Sequence, residues 1–177
     1  MTRWVALLRG VNVGGNRKLP MADLSRCLEA LGYEGVRTLL ASGNVVFSAP
    51  GPAAALEPVL ERALAERLQL TTDILVRSGE DIAATIAANP FPNAANPSQL
   101  LVLFHRDPVP LDRVAALLDG HEGGERIAAV GRELYIDFAG AMRDSRVPAR
   151  MAKLKFPACA TGRNMNTVEK LRALLDA

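Results

Sequence analysis

The fold is decided by the stretch from Trp4 to Ser48, WVALLRGVNVGGNRKLPMADLSRCLEALGYEGVRTLLASGNVVFS. It begins with a short apolar run, Val5 to Leu8, which is typical of a central strand. A polar loop with three glycines follows, and Pro20 then suits the first turn of a helix. The apolar face of that helix is predicted by residues spaced three and four apart, namely Leu24, Cys27, Leu28 and Leu31.

Two more strands, Val36 to Leu40 and Val45 to Phe47, are predicted on either side of a tight turn at residues 42–44. A second helix ends near Leu68, and a strand follows from Thr72 to Arg77. Pro58 is expected either in the first turn of that helix or at a kink. The order β-α-β-β-α-β is the pattern of a ferredoxin-like sandwich.

A second series follows a helix and an Asn/Pro-rich connector that together cover residues 79–98. Its predicted strands are Leu100 to Phe104, Arg126 to Val130, Leu134 to Phe138 and Ala158 to Thr161. Its predicted helices are Leu111 to Leu118, Pro148 to Lys155 and Thr167 to Asp176, the last opened by a capping box of Asn166 and Glu169. The sequence therefore predicts an α+β protein of two tandem ferredoxin-like (βαββαβ) halves, 1–78 and 99–177, with antiparallel or mixed sheets and one added C-terminal helix.

Composition indicates a globular protein of a reducing compartment. Hydrophobic residues make up 49% of the 177 residues, and the two cysteines form no pairing motif. No apolar run approaches the roughly 20 residues of a membrane span, and no secretory signal is evident. We therefore expect a cytoplasmic protein without a membrane partner. Cys27 lies on the apolar helix face, where a buried thiol is expected.

The charge is unevenly distributed along the chain. Residues 1–40 carry a net charge of +3, residues 41–139 carry −6, and residues 140–177 carry +5. Two basic ends that fold together would favour an anionic partner, although these charges could equally be solvated faces. Two basic polar loops, 9–18 and 161–167, lie in these basic segments and are the candidate sites for such a partner.

Both loops have features of an anion site. The first has glycines that allow backbone N–H groups to approach a ligand, although it matches neither a Walker A loop nor a dinucleotide fingerprint. The second precedes a helix, whose first N–H groups lack intrahelical partners. We predict a small anionic, phosphate-containing ligand bound where the two loops meet. The predicted ligand-binding residues are Arg9, Asn12, Gly14, Gly15, Lys18, Ser42, Asn44, Arg163 and Asn164.

Other functions stay open. Arg146, Arg150 and Lys153 form a basic stripe at helical spacing, which favours a nucleic-acid-binding module as the first alternative. A self-associating interaction protein, such as a homodimer, is the second. Ser42 lies on a turn, where its hydroxyl is expected to help close the turn rather than act as a nucleophile. No catalytic residue can be assigned, and we expect neither a metal site nor a cofactor.

Several motifs resemble a known family. Residues 6–15, ALLRGVNVGG, with Arg37-Thr38 and SGNVVF at 42–47, resemble its opening signature. Residues 131–135, GRELY, and 160–168, ATGRNMNTV, resemble its middle hairpin and its closing signature. The chain is therefore similar to the widespread bacterial domain-of-unknown-function family 1697 (DUF1697). The resemblance implies two ferredoxin-like halves and no established activity. The chain departs from the family at Met165, where tryptophan is usual, and at Gly162, where threonine is common.

Overall fold

The computed structural model describes residues 1–15 and 17–177 as two compact units. The first unit comprises Met1–Ala84 together with Lys170–Ala177, and the second comprises Thr85–Glu169. The predicted domain boundaries at residues 78 and 98 stay predictions. Asn16, which belongs to the predicted loop 9–18, lies outside the described residues.

The first unit contains one four-stranded antiparallel sheet with two helices between its strands. In chain order its elements are β1 (Thr2–Leu8), α1 (Met21–Glu29), β2 (Glu34–Thr38), β3 (Asn44–Ala49), α2 (Ala53–Leu68) and β4 (Ile74–Ser78). The strand order in the sheet is β2-β3-β1-β4, and every neighbouring pair is antiparallel. A third helix, α3 (Gly79–Ala87), follows directly. This is the predicted β-α-β-β-α-β topology.

The core of this unit lies between its sheet and α1 and α2. Strand β1 is buried along most of its length, as a central strand of continuous apolar residues requires. The core cluster joins Leu8 of β1 to Leu24 of α1 and Leu64 of α2, all fully buried. Cys27 is buried with them as predicted, and burial raises the pKa of its thiol.

The second unit repeats the topology. Its elements are β5 (Leu100–His105), α4 (Leu111–Leu118), β6 (Arg126–Val130), β7 (Glu133–Asp137), α5 (Val147–Lys153), β8 (Ala160–Asn164) and the start of α6 (Met165–Asp176). The sheet order is β6-β7-β5-β8, again antiparallel throughout. A separate core includes Leu117, Leu134 and Val147. The predicted α+β fold of two tandem ferredoxin-like halves is confirmed.

Two local predictions were wrong. The segment predicted as loop 161–167 is strand β8 followed immediately by α6, because residues 160–164 pair with β5. The helix is therefore capped by Asn164, whose Oδ1 accepts the Thr167 N–H at 3.0 Å, and not by Asn166. Pro58 lies in the second turn of α2, inside the helix, so the first-turn alternative does not hold and the kink stays a prediction.

Candidate functional site

The loop between β1 and α1 is held in place by hydrogen bonds to its backbone groups. The N–H of Arg9 donates to the Asp73 carbonyl at 3.0 Å, and the Thr72 hydroxyl donates to the Arg9 carbonyl at 2.5 Å. Farther along, the N–H of Asn12 donates to the Arg17 carbonyl at 3.1 Å. The chain leading into β4 thus fixes the start of the loop.

The side chain of Asn12 holds the rest of this loop. Its Nδ2 donates to the carbonyls of Leu19 and Ala41, at 2.9 and 2.6 Å, and its Oδ1 accepts the Leu19 N–H at 2.7 Å. Asn12 also has a positive φ of 54°, a conformation that asparagine tolerates better than most residues. The structure therefore gives this predicted ligand-binding residue a bracing role.

The turn at residues 41–44 packs beneath the loop. Gly43 has a φ of +87°, and a Cβ at this position would lie 2.5 Å from Val11 Cγ2 and 2.8 Å from Leu8 Cβ. Asn44 is fully buried, and its Nδ2 donates to the Leu39 carbonyl and the Ser42 hydroxyl at 2.8 and 2.9 Å. Ser42 and Asn44, both predicted to border the ligand, therefore close the turn that supports the loop.

A cavity of about 320 Å³ lies on one side of the loop and contains Arg9 and Arg17. Arg9 Nη1 lies 3.2 Å from Asp73 Oδ2, and Arg17 Nη2 donates to the Thr71 carbonyl at 2.7 Å. Both members of the Arg9–Asp73 pair are well exposed, so the pair adds little to stability. Because Glu61 also lines this cavity, two carboxylates offset its two guanidinium groups.

A second cavity, which we call the Lys18 cavity, also borders the loop and has a volume of about 500 Å³. It is lined by Asn12, Gly15, Lys18, Leu19, Pro20, Met21 and Ala41. Lys18 is exposed and supplies the positive charge, and no described lining residue carries a carboxylate. Helix α1 begins at this wall. The Asp23 N–H already donates to the Pro20 carbonyl at 3.0 Å, so the N–H groups that a ligand could use are those of the first two helical residues, Met21 and Ala22.

The glycines of the loop keep its backbone open to solvent. Gly14 and Gly15 have φ values of +61° and +76°, and both are exposed. A Cβ at either position would meet no described atom within 4 Å, so the left-handed backbone rather than crowding favours glycine there. Of the two, Gly15 lines the Lys18 cavity.

Arg163 is buried in strand β8 of the second unit. Its Nη1 donates to the Thr161 hydroxyl at 2.7 Å and to the Gly162 carbonyl at 2.8 Å. Burial lowers the pKa of Arg163 to about 10. Because Arg9 belongs to the first unit and Arg163 to the second, the predicted meeting of the two loops stays a prediction.

The basic stripe of the second unit is partly engaged in the fold. Arg146 precedes α5, while Arg150 Nη2 donates to the Asp119 carbonyl at the end of α4, at 2.9 Å. Lys153, the last residue of the stripe, is exposed. The nucleic-acid alternative that this stripe suggested remains an untested prediction.

Sequence analysis missed a polar cluster in the second unit. His121 Nε2 lies 3.3 Å from Glu125 Oε2, and the Ser145 hydroxyl donates to Glu125 Oε1. The Ser145 hydrogen bond is the main cause of the lowered pKa of Glu125. The signal for this cluster in the sequence was the run His-Glu-Gly-Gly-Glu at residues 121–125, in which two glycines permit a tight loop that brings Glu125 back to His121.

Across residues 1–15 and 17–177, no three His, Cys, Asp or Glu side chains are grouped so that they could hold a metal ion. Within the same ranges, no helix has both the length and the apolarity needed to cross a membrane.

Comparisons with known proteins bear on the fold and the family. A family model described as "Protein of unknown function (DUF1697)" matches residues 1–135. The chain is also similar to the solved structure of the conserved bacterial protein SP0830 from Streptococcus pneumoniae. The two are 27% identical with a TM-score of 0.76, over 98% of each chain. No curated protein matches the chain. The predicted resemblance is confirmed.

Proposed function

The chain belongs to the DUF1697 family of proteins of unknown function, and we propose that it binds a small organic anion in the Lys18 cavity. The anionic group pairs with the Lys18 ammonium and with N–H groups at the start of α1. The body of the ligand contacts Leu19 and Met21. One observation carries this proposal: a braced loop holds a lysine beside a helix start, in a cavity lined by no described carboxylate.

Bracing matters because a preformed site loses less conformational entropy when it binds a ligand. Asn12 joins the loop to Leu19 and Ala41, and both of these residues line the cavity. The wall and the charged loop are therefore held by a single side chain. A volume of about 500 Å³ falls in the range typical of small-molecule sites, which is roughly 300–1,000 Å³.

The character of the lining favours an anion that carries an apolar body. Leu19 and Pro20, with Met21 and Ala41, form most of the wall. Inorganic phosphate would pair with the Lys18 ammonium but would leave this apolar surface exposed to water. A phosphate ester or a carboxylate with an aryl or alkyl group would cover both parts, so we expect such a ligand to bind more tightly.

Replacing Lys18 with alanine tests the proposal. We expect Lys18→Ala to weaken the binding of phenyl phosphate by about tenfold or more, because a hydrogen bond to a charged group contributes about 1.5–3 kcal/mol. The wild type should also bind phenyl phosphate more tightly than inorganic phosphate. Isothermal titration calorimetry at fixed, low salt measures both affinities.

Arg62→Ala provides the matched control. Arg62 is an exposed basic residue of α2 in the same unit, and it is not part of the cavity lining. Its loss removes one positive charge without touching the proposed site, so affinity should stay within about twofold of wild type. If both variants lose the same affinity for phenyl phosphate, the effect comes from the net charge of the protein and not from the Lys18 cavity, and the proposal is contradicted.

A further inference from the structure

The second unit has a cavity of about 520 Å³ that the proposed function does not use. It lies among the loop after α4, the turn at Met142–Asp144 and the start of α5. Its lining residues are Gly120, His121, Glu122, Gly123, Glu125, Asp144, Arg146 and Arg150. Six of these eight residues have side chains that can carry a charge or exchange a proton, and the other two are glycines. This composition differs sharply from that of the Lys18 cavity.

A hydrogen-bond network fixes the orientation of His121. Its Nε2 lies 3.3 Å from Glu125 Oε2 and 3.2 Å from the Glu125 carbonyl, and both of these atoms are acceptors. Nε2 must therefore carry a proton, so in neutral imidazole the lone pair resides on Nδ1. The carboxylate of Glu125 is itself held by the Ser145 hydroxyl, whose Oγ accepts the Val147 N–H at 3.2 Å.

This network presents an acceptor rather than an activated nucleophile. Glu125 stands between His121 and Ser145, whereas a catalytic triad requires histidine between the hydroxyl and the acid. Ser145 thus positions the Glu125 carboxylate, and Glu125 positions the ring. Whenever the ring is neutral, this arrangement leaves Nδ1 as the ring nitrogen that can accept a hydrogen bond.

Gly123 allows the loop to close around this pair. A Cβ at Gly123 would overlap Glu125 Oε2 and would lie 2.9 Å from His121 Cε1. The neighbouring Gly124 differs, since a Cβ there would meet no described atom within 4 Å. A Cβ at Gly123 would therefore displace the Glu125 carboxylate from its place beside His121, whereas a Cβ at Gly124 would displace neither side chain.

The lining offers charges of both signs. Arg146 and Arg150 supply guanidinium groups, and the exposed Glu122 and Asp144 supply carboxylates in addition to the more buried Glu125. A simple anion would meet the two exposed carboxylates, and a simple cation would meet the two arginines. A ligand that carries both charges matches this lining better than either.

We propose that this cavity binds a small zwitterion of the α-amino acid class. The carboxylate of the ligand pairs with Arg146 and Arg150, as guanidinium groups favour. The ammonium group donates to Asp144 or Glu122 and to Nδ1 of His121. Neither the position nor the chemistry of this site depends on the Lys18 cavity, so either proposal can fail without the other.

Nuclear magnetic resonance of the histidine rings tests this proposal on the full chain. Each common L-amino acid is titrated in turn, with acetate, methylammonium and inorganic phosphate as comparison probes. We expect at least one amino acid to shift the His121 ring signals in a saturable way and to bind at least tenfold more tightly than acetate or methylammonium. His105, the only other histidine, is buried and serves as the internal reference.

Two matched pairs of variants locate the binding. Arg146→Ala should weaken it by about tenfold, whereas Lys153→Ala, which removes an exposed charge outside the lining, should leave it unchanged. Gly123→Ala should weaken binding, because its methyl group displaces the Glu125 carboxylate that orients His121, and Gly124→Ala should preserve it. The proposal is overturned if no amino acid shifts His121, or if inorganic phosphate binds as tightly as the best amino acid.

Discussion

Gly43→Ala is expected to destabilise the first unit by about 2–5 kcal/mol. Gly43 has a φ of +87°, and an L-residue in the left-handed region costs about 1–2 kcal/mol. The added methyl group would also press on Val11 and on Leu8, both fully buried. Overpacking of this kind typically costs about 1–3 kcal/mol.

Gly51→Ala separates these two contributions. Gly51 has a similar φ of +91°, but a Cβ there would meet no described atom within 4 Å. The control should therefore show only the backbone cost of about 1–2 kcal/mol. Urea unfolding followed by the fluorescence of Trp4, the single tryptophan, reports on this unit. Equal destabilisation by the two substitutions would mean that the turn does not press against the loop.

Tyr135→Phe is expected to reverse the sign of its effect on stability between pH 8 and pH 12. Tyr135 is fully buried, and its hydroxyl donates to the Thr85 carbonyl at 2.6 Å. Burial, followed by the nearby Glu133, raises the pKa of this phenol well above its usual value. The folded state therefore keeps Tyr135 neutral at a pH where the unfolded chain ionises it.

The sign follows from this difference in proton binding. Stability from neutral Tyr135 is complete below a pH of about 10, the ordinary tyrosine pKa, and falls as pH rises above it. Between pH 10 and pH 12 this loss can reach at most about 3 kcal/mol, because each pKa unit corresponds to roughly 1.4 kcal/mol. The phenylalanine variant lacks that loss, but at every pH it lacks the hydrogen bond, which contributes about 1 kcal/mol.

We therefore expect Tyr135→Phe to be about 1 kcal/mol less stable than the wild type at pH 8 and about 1–2 kcal/mol more stable at pH 12. Urea unfolding followed by circular dichroism at each pH measures both differences. Groups such as Tyr33 and Arg163 also have shifted pKa values, but they are common to both proteins and cancel in the comparison. A difference that does not change with pH would contradict the account.

Local patterns were sufficient to predict most of the fold. The apolar spacing in α4 and the short runs of β6 gave the same bounds that the structure shows, Leu111–Leu118 and Arg126–Val130. Such elements have one clear period and well-marked ends, so tertiary contacts alter them little. The order of strands in both sheets then follows from the β-α-β-β-α-β pattern.

The closing segment shows where local signals fail. Gly162, Arg163 and Asn164 have weak strand propensity, yet they form β8 because β5 offers them a partner along its edge. That pairing extends the strand to Asn164 and moves the start of α6 to Met165. The loop was predicted from a few neighbouring residues. Pairing between strands about 60 positions apart cannot be recognised from such a short segment.

Several predicted site residues make contacts that the sequence cannot show. Asn12 and Asn44 hold backbone groups of the loop and of its supporting turn, and Ser42 accepts a hydrogen bond from Asn44. Lys18 emerges as the residue on which the proposed function depends. The pairing of Glu125 with Ser145, 20 positions apart, likewise had no local pattern to indicate it.

The most direct test of the central proposal is a two-dimensional amide NMR titration with phenyl phosphate. If the Lys18 cavity binds the anion, the amide signals of Gly15, Met21 and Ala22 will shift together with one saturation curve, and Lys18→Ala will suppress those shifts. If the signals that move are instead those around Arg9 and Arg17 in the neighbouring cavity, or if none moves, the assignment of anion binding to the Lys18 cavity is wrong.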